Sequence, residues 1–292
     1  MSAEQPLNLT ISRSGFIDQP LFVLTSDQDW APEWACEQFL RRIKAHSIPL
    51  HVFRTSPSLV LDAAAAAGQI TQGWHPNFLP GSSHGENISQ VVEYGRTNFP
   101  GARTVRSHCY VEDAFCWQAL ADTGIVADSQ LVTLFQSCIA PLVHWTGLLR
   151  FPLFFEDDTF FGWLPNDLPT ASLEPTLFSP GLKILNFHPT FVACNTPSRP
   201  HYEAVRGDIF NTHSPQRGVV FRSRGTANVM EEILERIQKA GHTFVGFEDV
   251  VSRFLQYAHD SEDFAPLIRL RMEGTMDYNQ ALLPSPSSTN FD

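Results

Sequence analysis

The stretch Pro20-Leu21-Phe22-Val23-Leu24-Thr25-Ser26-Asp27-Gln28-Asp29-Trp30-Ala31-Pro32 decides how this chain is read. Residues 21–25 form a short, nearly unbroken apolar run that ends in a polar cluster carrying two acids. Such runs suit a strand buried on both faces, as in a parallel sheet. Pro32 then opens a helical pattern through Trp34, Cys36, Phe39, Leu40 and Ile43, because proline is tolerated in a first helical turn.

The same alternation continues outward. Strand-like runs at 50–53, 71–74, 104–106, 124–127, 149–154 and 182–187 are separated by helical patterns at 56–67, 88–94 and 114–122. An amphipathic helix over 227–240, the apolar run 243–247 and a last helix over 248–258 follow. Residues 195–225, rich in Pro, Arg, Ser and Gly, read as a long loop, and the Pro/Ser/Thr-rich end 283–292 reads as a mobile tail. Strand then helix, repeated about seven times, predicts a parallel α/β architecture, which either an open doubly wound sheet or a closed barrel would satisfy. No glycine-rich phosphate loop follows the first strand, which argues against a dinucleotide-binding fold.

Composition excludes several classes of function. The 292 residues carry a formal net charge of −11 with no block of Lys/Arg, so a nucleic-acid partner is not expected. No apolar run reaches the roughly 18 residues of a bilayer span, and residues 1–19 lack the charged-then-apolar pattern of a secretory leader. The five cysteines form no Cys-x-x-Cys pair and read as reduced, mostly buried residues, so a cytoplasmic protein is expected.

In parallel α/β folds chemistry collects at the carboxyl ends of strands. Asp27 and Asp29 follow the first predicted strand, and His75-Pro76-Asn77 the third. Arg106 and His108 come at the fourth, Asp128 at the fifth, Glu156-Asp157-Asp158 at the sixth and His188 at the seventh. Imidazoles and carboxylates gathered at one end of a sheet can bind a divalent metal, and a spare acid can act as a base toward water. Blander readings exist for each residue. Asp27 and Asp29 could cap the following helix, His75 could be a turn residue, 156–158 a solvated charge run and His188 a core histidine. An inward Arg106 would need a carboxylate partner, for which Asp27 is the candidate. Trp30, Trp74, Phe78 and Trp145 are candidate walls of a sugar pocket and equally candidate core residues.

These residues, in this order, resemble the polysaccharide deacetylases, carbohydrate esterases sharing the nodulation-type chitooligosaccharide deacetylase domain. Thr25-Ser26-Asp27-Gln28-Asp29 is similar to that family's Thr-Phe-Asp-Asp, with one extra residue between the acids. Asp27 to Pro32, His75 to Phe78, Val105 to His108, Glu156 to Asp158 and Asn186 to Pro189 resemble a divergent subgroup associated with bacterial surface-polysaccharide (O-antigen) biosynthesis. The resemblance implies a distorted (β/α)7-type barrel of parallel strands over 20–262, between an extension 1–19 and a C-terminal segment 263–292. It implies hydrolysis of an N-acetyl or related acyl group on a sugar, with a divalent metal, zinc as first choice, held by Asp29, His75 and His108. Asp27 would be the base, His188 the general acid, and Arg106 would set the charge of Asp27. Asn77, Asp128, Glu156, Asp157 and Trp30 are the expected contacts to a carbohydrate substrate. One departure stands out. The family's second histidine, four residues after the first, is Leu79 here, and His84 is the alternative to His108 as third ligand. A non-catalytic sugar or sugar-nucleotide binding relative, or a hydrolase of another C–N or O-acyl bond, are the rival readings.

Overall fold

The computed structural model describes residues 16–163, 169–210 and 219–261, with 264–266 and 268. Most of the expected extension 1–19 and C-terminal segment 263–292, including the expected mobile tail, lies outside the described residues. The strands are β1 (Pro20–Asp27), β2 (Leu50–Arg54), β3 (Ile70–Trp74), β4 (Thr104–Val105), β5 (Ala127–Asp128), β6 (Leu142–Val143), β7 (Leu149–Arg150), β8 (Leu153–Glu156) and β9 (Gly181–Asn186). The helices are α1 (Glu33–His46), α2 (Leu59–Ala66), α3 (Ile88–Asn98), α4 (Ala114–Ala121), α5 (Asp157–Trp163), α6 (Glu174–Leu177), α7 (Pro189–Cys194), α8 (Arg199–Phe210), α9 (Thr226–Lys239) and α10 (Phe247–Asp260).

The strands form one sheet in the order β6-β7-β5-β4-β3-β2-β1-β9-β8, parallel except where β6 pairs antiparallel with β7. It curves into a half-barrel whose two flanks are joined by the chain itself. β7 pairs with β5 and β8 with β9, yet only Phe151 and Pro152 separate β7 from β8. Proline has no N–H for a ladder, so the single predicted strand at 149–154 is interrupted there. Counting that run once and setting β6 aside leaves seven strand positions, the distorted (β/α)7 type.

Period-two alternation sorts β1 between two cores. Phe22 and Leu24 pack with Leu50, Val52 and Leu185 beneath α1, α7 and α9. Val23 turns the other way, to Phe53, Ile184, Phe247 and Phe254. Thr25 and Asp27 continue the face of Val23, so the pattern that buries the strand also aims these polar residues inward. Each fully buried Phe, Leu or Ile contributes roughly 1.5–3 kcal/mol. Helix starts are locally encoded: the side chains of Ser58, Asn87 and Asp113 accept the Leu61, Gln90 and Cys116 N–H groups at the starts of α2, α3 and α4.

Two expectations need correction. The expected loop 195–225 contains α8, whose Pro200 sits in the first turn, where its missing N–H does no harm. The run 243–247 is no strand. It makes a single bridge, Phe22 with Phe244, before α10 begins at Phe247. Among the described residues no helix is long and apolar enough to cross a membrane.

Candidate active site and metal centre

Asp27 ends β1 and is 2% exposed. Its Oδ1 accepts from Arg106 Nη1 at 2.8 Å and its Oδ2 from Asn186 Nδ2 at 3.0 Å. The β1–β9 register sets Thr25 beside Asn186, and Arg106 donates to Thr25 Oγ1 and Asn186 Oδ1 as well. Arg106 lies just past β4, fully buried, with its remaining donors on Ser129 and its guanidinium 4.4 Å from the Phe53 ring centre. A buried acid is thus held by a buried cation whose donors are themselves satisfied, the condition under which such a pair is tolerated.

Asp29 points elsewhere because the backbone turns. Asp29 and Trp30 have φ of 47° and 54°, the left-handed region that non-glycine residues seldom occupy. There Asp29 Oδ1 meets His75 Nε2 at 3.0 Å and His108 Nδ1 at 2.9 Å. Burial alone would raise the Asp29 carboxyl, but the bonds to His108 and His75 and the nearby His188 hold it well below its ordinary value. His108 is opposed by its own burial and pushed up to about 10 by Asp29.

The third cluster forms at β8, α5 and β9. Asp157 grips His188 twice, through its backbone N–H at 2.9 Å and Nδ1 at 2.6 Å. That leaves His188 Nε2 facing Asp29 Oδ2 at 3.5 Å and Asp27 Oδ2 at 4.0 Å. Burial works against the His188 cation, yet Asp157 holds its pKa well above the ordinary histidine value. Glu156 accepts from the Tyr110 hydroxyl and from Thr159 Oγ1, and burial followed by the charge of Asp158 raises it well above the usual carboxylate range.

Asp29, His75 and His108 bring one carboxylate and two imidazoles together, with ligand atoms all within 4.8 Å of one another. A divalent hydrolytic site takes three such protein ligands and keeps one position open. The Asp29 and His108 side chains are 29% and 22% exposed, so the cluster opens to solvent on one side. These residues fit a divalent ion. His84 is not part of the group. Its Nδ1 accepts the Asn77 N–H at 3.0 Å and its ring stacks on Tyr94 at 4.2 Å. Burial pushes it down to about 4.

Other predicted contacts are placed differently. Trp30 stands at the site, half-buried and edge-on to His108 at 5.0 Å, whereas Trp74 is a core residue against Val91 and Trp117. Asn77 braces its own loop through Leu79 N–H. Asp128 is fully buried, with its carboxylate on Arg150 and the Gln130 N–H, and burial raises it to about 7. As placed, Asp128, Glu156 and Asp157 bind protein groups, and each is buried to at least 98%. Of the cysteines, Cys36, Cys116 and Cys194 are buried but Cys109 and Cys138 are exposed. Sequence reasoning gave no role to Asn186, Thr25, Ser129 or Tyr110. The available signals were the inward alternation of Thr25 with Asp27 and the place of Thr25 and Asn186 within the motifs that carry the resemblance.

Comparison with known proteins places the fold and the family. The pattern of the WbmS-like polysaccharide deacetylases matches residues 24–206. A Bordetella bronchiseptica protein, assigned as a polysaccharide deacetylase involved in O-antigen biosynthesis, is 26% identical with a TM-score of 0.65, over 74% of this chain and 90% of its own. A Mycobacterium smegmatis protein assigned as a polysaccharide deacetylase is 15% identical, with a TM-score of 0.45 over 83% of this chain and 96% of its own. The Bc1960 peptidoglycan N-acetylglucosamine deacetylase is 11% identical, with a TM-score of 0.42 over 79% of this chain and 87% of its own. No curated protein matches. With the family pattern covering well over half its length, the chain belongs to the WbmS-like polysaccharide deacetylases.

Proposed function

We propose that the protein is a metal-dependent deacetylase that hydrolyses an N-acetyl or related acyl group on a sugar or polysaccharide precursor. One observation carries the reading: the Asp29–His75–His108 cluster lies beside both the Arg106-held Asp27 and the Asp157-held His188. Kinship with a protein assigned to O-antigen biosynthesis supports a surface-polysaccharide precursor as substrate.

A divalent ion held by Asp29, His75 and His108, zinc by its donor set, would supply Lewis-acid polarisation of the acetyl carbonyl and the attacking water. Asp27 takes the proton from that water as general base. Arg106 and Asn186 each hold one of its oxygens, which fixes its orientation. His188 gives its Nε2 proton to the departing amine, while Asp157 on Nδ1 fixes the ring and supports its charge. Trp30 offers an aromatic face beside the site for a sugar ring.

The test is metal analysis of purified protein together with acetate release from a panel of N-acetylated sugars and sugar nucleotides. Stoichiometric zinc and acetate release, both lost in Asp29→Ala, are expected. Leu79, standing where the resemblance places a second histidine, favours a rival reading as a non-catalytic sugar-binding relative. That reading gains if Asp29→Ala binds saccharide as wild type does and no acetate is ever released.

A further inference from the structure

Two consecutive non-glycine residues, Cys109 and Tyr110, sit in the left-handed region with φ of 54° and 55°. Such a conformation costs roughly 1–2 kcal/mol per residue, so it persists only where surrounding contacts fix it. The turn they build, His108–Tyr110, lies just beyond β4 and separates two side chains. His108 remains at the mouth of the barrel, on Asp29. Tyr110 swings inward, packs beside the interior cluster around Phe53 and Phe151, and donates its hydroxyl to Glu156.

Glu156 is the last residue of β8 and is 2% exposed. Thr159 Oγ1 donates to its other oxygen at 2.7 Å, so both oxygens of the acid have a partner. The next residue, Asp157, holds His188. The Tyr110–Glu156 bond therefore ties the strand end carrying His108 to the strand end carrying the Asp157–His188 pair.

We propose that Tyr110 is a positioning residue whose bond to Glu156 holds the His108–Tyr110 turn in its left-handed form and so keeps His108 against Asp29. The inference rests on the metal-site reading above and assigns Glu156 an anchoring part in place of the expected contact to substrate. Without the hydroxyl, the turn can relax toward ordinary backbone angles and carry His108 off the acid.

The experiment measures zinc affinity by competition with a chromophoric chelator in wild type, Tyr110→Phe, Glu156→Gln and Glu156→Leu. Tyr110→Phe keeps the packed ring and removes only the hydroxyl. Loss of a group that orients a metal ligand weakens affinity about 10–100-fold, and Tyr110→Phe and Glu156→Leu should both fall at the lower end of that range. Glu156→Gln keeps a carbonyl oxygen for the Tyr110 hydroxyl and should stay close to wild type. The double variant Tyr110→Phe/Glu156→Leu should bind no more weakly than either single one, since both remove the same bond. In the metal-free proteins, the amides of residues 110 and 111, which bond to the Ser107 and His108 carbonyls, should exchange faster in Tyr110→Phe and Glu156→Leu than in wild type and Glu156→Gln. Wild-type zinc affinity in Tyr110→Phe overturns the proposal, as does a loss in Glu156→Gln equal to that in Glu156→Leu. Should the wild-type protein bind no zinc, the metal reading falls instead. Amide exchange then decides the brace alone, with faster exchange supporting it and unchanged exchange overturning it.

Discussion

Asp27 and Asp29 are two residues apart and do different things because one residue lies on the sheet and the other beyond it. Asp27 keeps the inward direction of Val23 and Thr25 and meets Arg106. Asp29, turned by its left-handed φ of 47°, meets two histidines. The division of labour makes a sharp prediction. Asp27→Asn should lower kcat by about 10²–10⁴-fold, the usual range for a lost general base, with zinc affinity close to wild type. Equal losses of metal and activity would mean that Asp27 is itself a ligand. Both acids were legible in the sequence because they end an apolar run. Their partners at 75, 106 and 108 were legible as residues at other strand ends, and the Asp27–Arg106 pairing followed from the need of a buried cation for a carboxylate. The grip of Asp157 on His188 was not legible. Asp157 stands in a run of three acids, and only the neighbouring position of β8 and β9 separates its part from that of Glu156.

At the level of elements, α9 shows what period and composition can and cannot supply. Its buried stripe, Val229, Met230, Ile233, Leu234 and Ile237, recurs at helical spacing, and Arg236 and Lys239 favour its C-terminal end. Its entry is set by a contact that no local pattern contains. A Cβ on Gly225 would stand 2.0 Å from the Asn195 carbonyl oxygen. Gly225→Ala should therefore destabilise by about 1–3 kcal/mol in urea unfolding, the usual range for overpacking. Gly207→Ala, in α8 with open space around it, should stabilise by roughly 0.5–1 kcal/mol through helix propensity. The reverse order of these two stabilities would refute the packing argument. α8 itself was hidden because Pro, Arg and Ser around it outweigh a stripe with one fully buried residue, Ile209.

Across the whole molecule, the interior of the half-barrel carries a second polar group away from the metal-binding residues. His51 is fully buried, bonded through Nδ1 to Thr71 at 2.7 Å and through Nε2 to Thr104 at 2.9 Å, between Phe53 and Phe247. Burial, helped by the charge of Arg106, pushes it down to about 3. Because this folded-state pKa is depressed, its contribution to stability is complete above the unfolded value of about 6.5. It is lost as pH falls from there toward 3, since the unfolded chain takes up a proton that the folded chain refuses. The slope due to this one group is about 1.4 kcal/mol per pH unit at most. Urea titrations of wild type and His51→Gln between pH 4 and pH 7 should show the wild-type slope reduced in the variant, and equal slopes would exclude His51 as its source.

What the sequence by itself determined is the run of strand–helix units, their parallel arrangement and the polar residues at their carboxyl ends, because apolar period and capping chemistry act over a few neighbouring residues. Tertiary structure decided the rest. Closure through the broken run 149–156, the choice of His108 over His84 beside Asp29, and the pairing of Asp157 with His188 all join residues distant in sequence. Such partners are chosen by strand order, register and the left-handed turns at 29–30 and 109–110. Those depend on how the whole barrel packs, and no short stretch of chain encodes them.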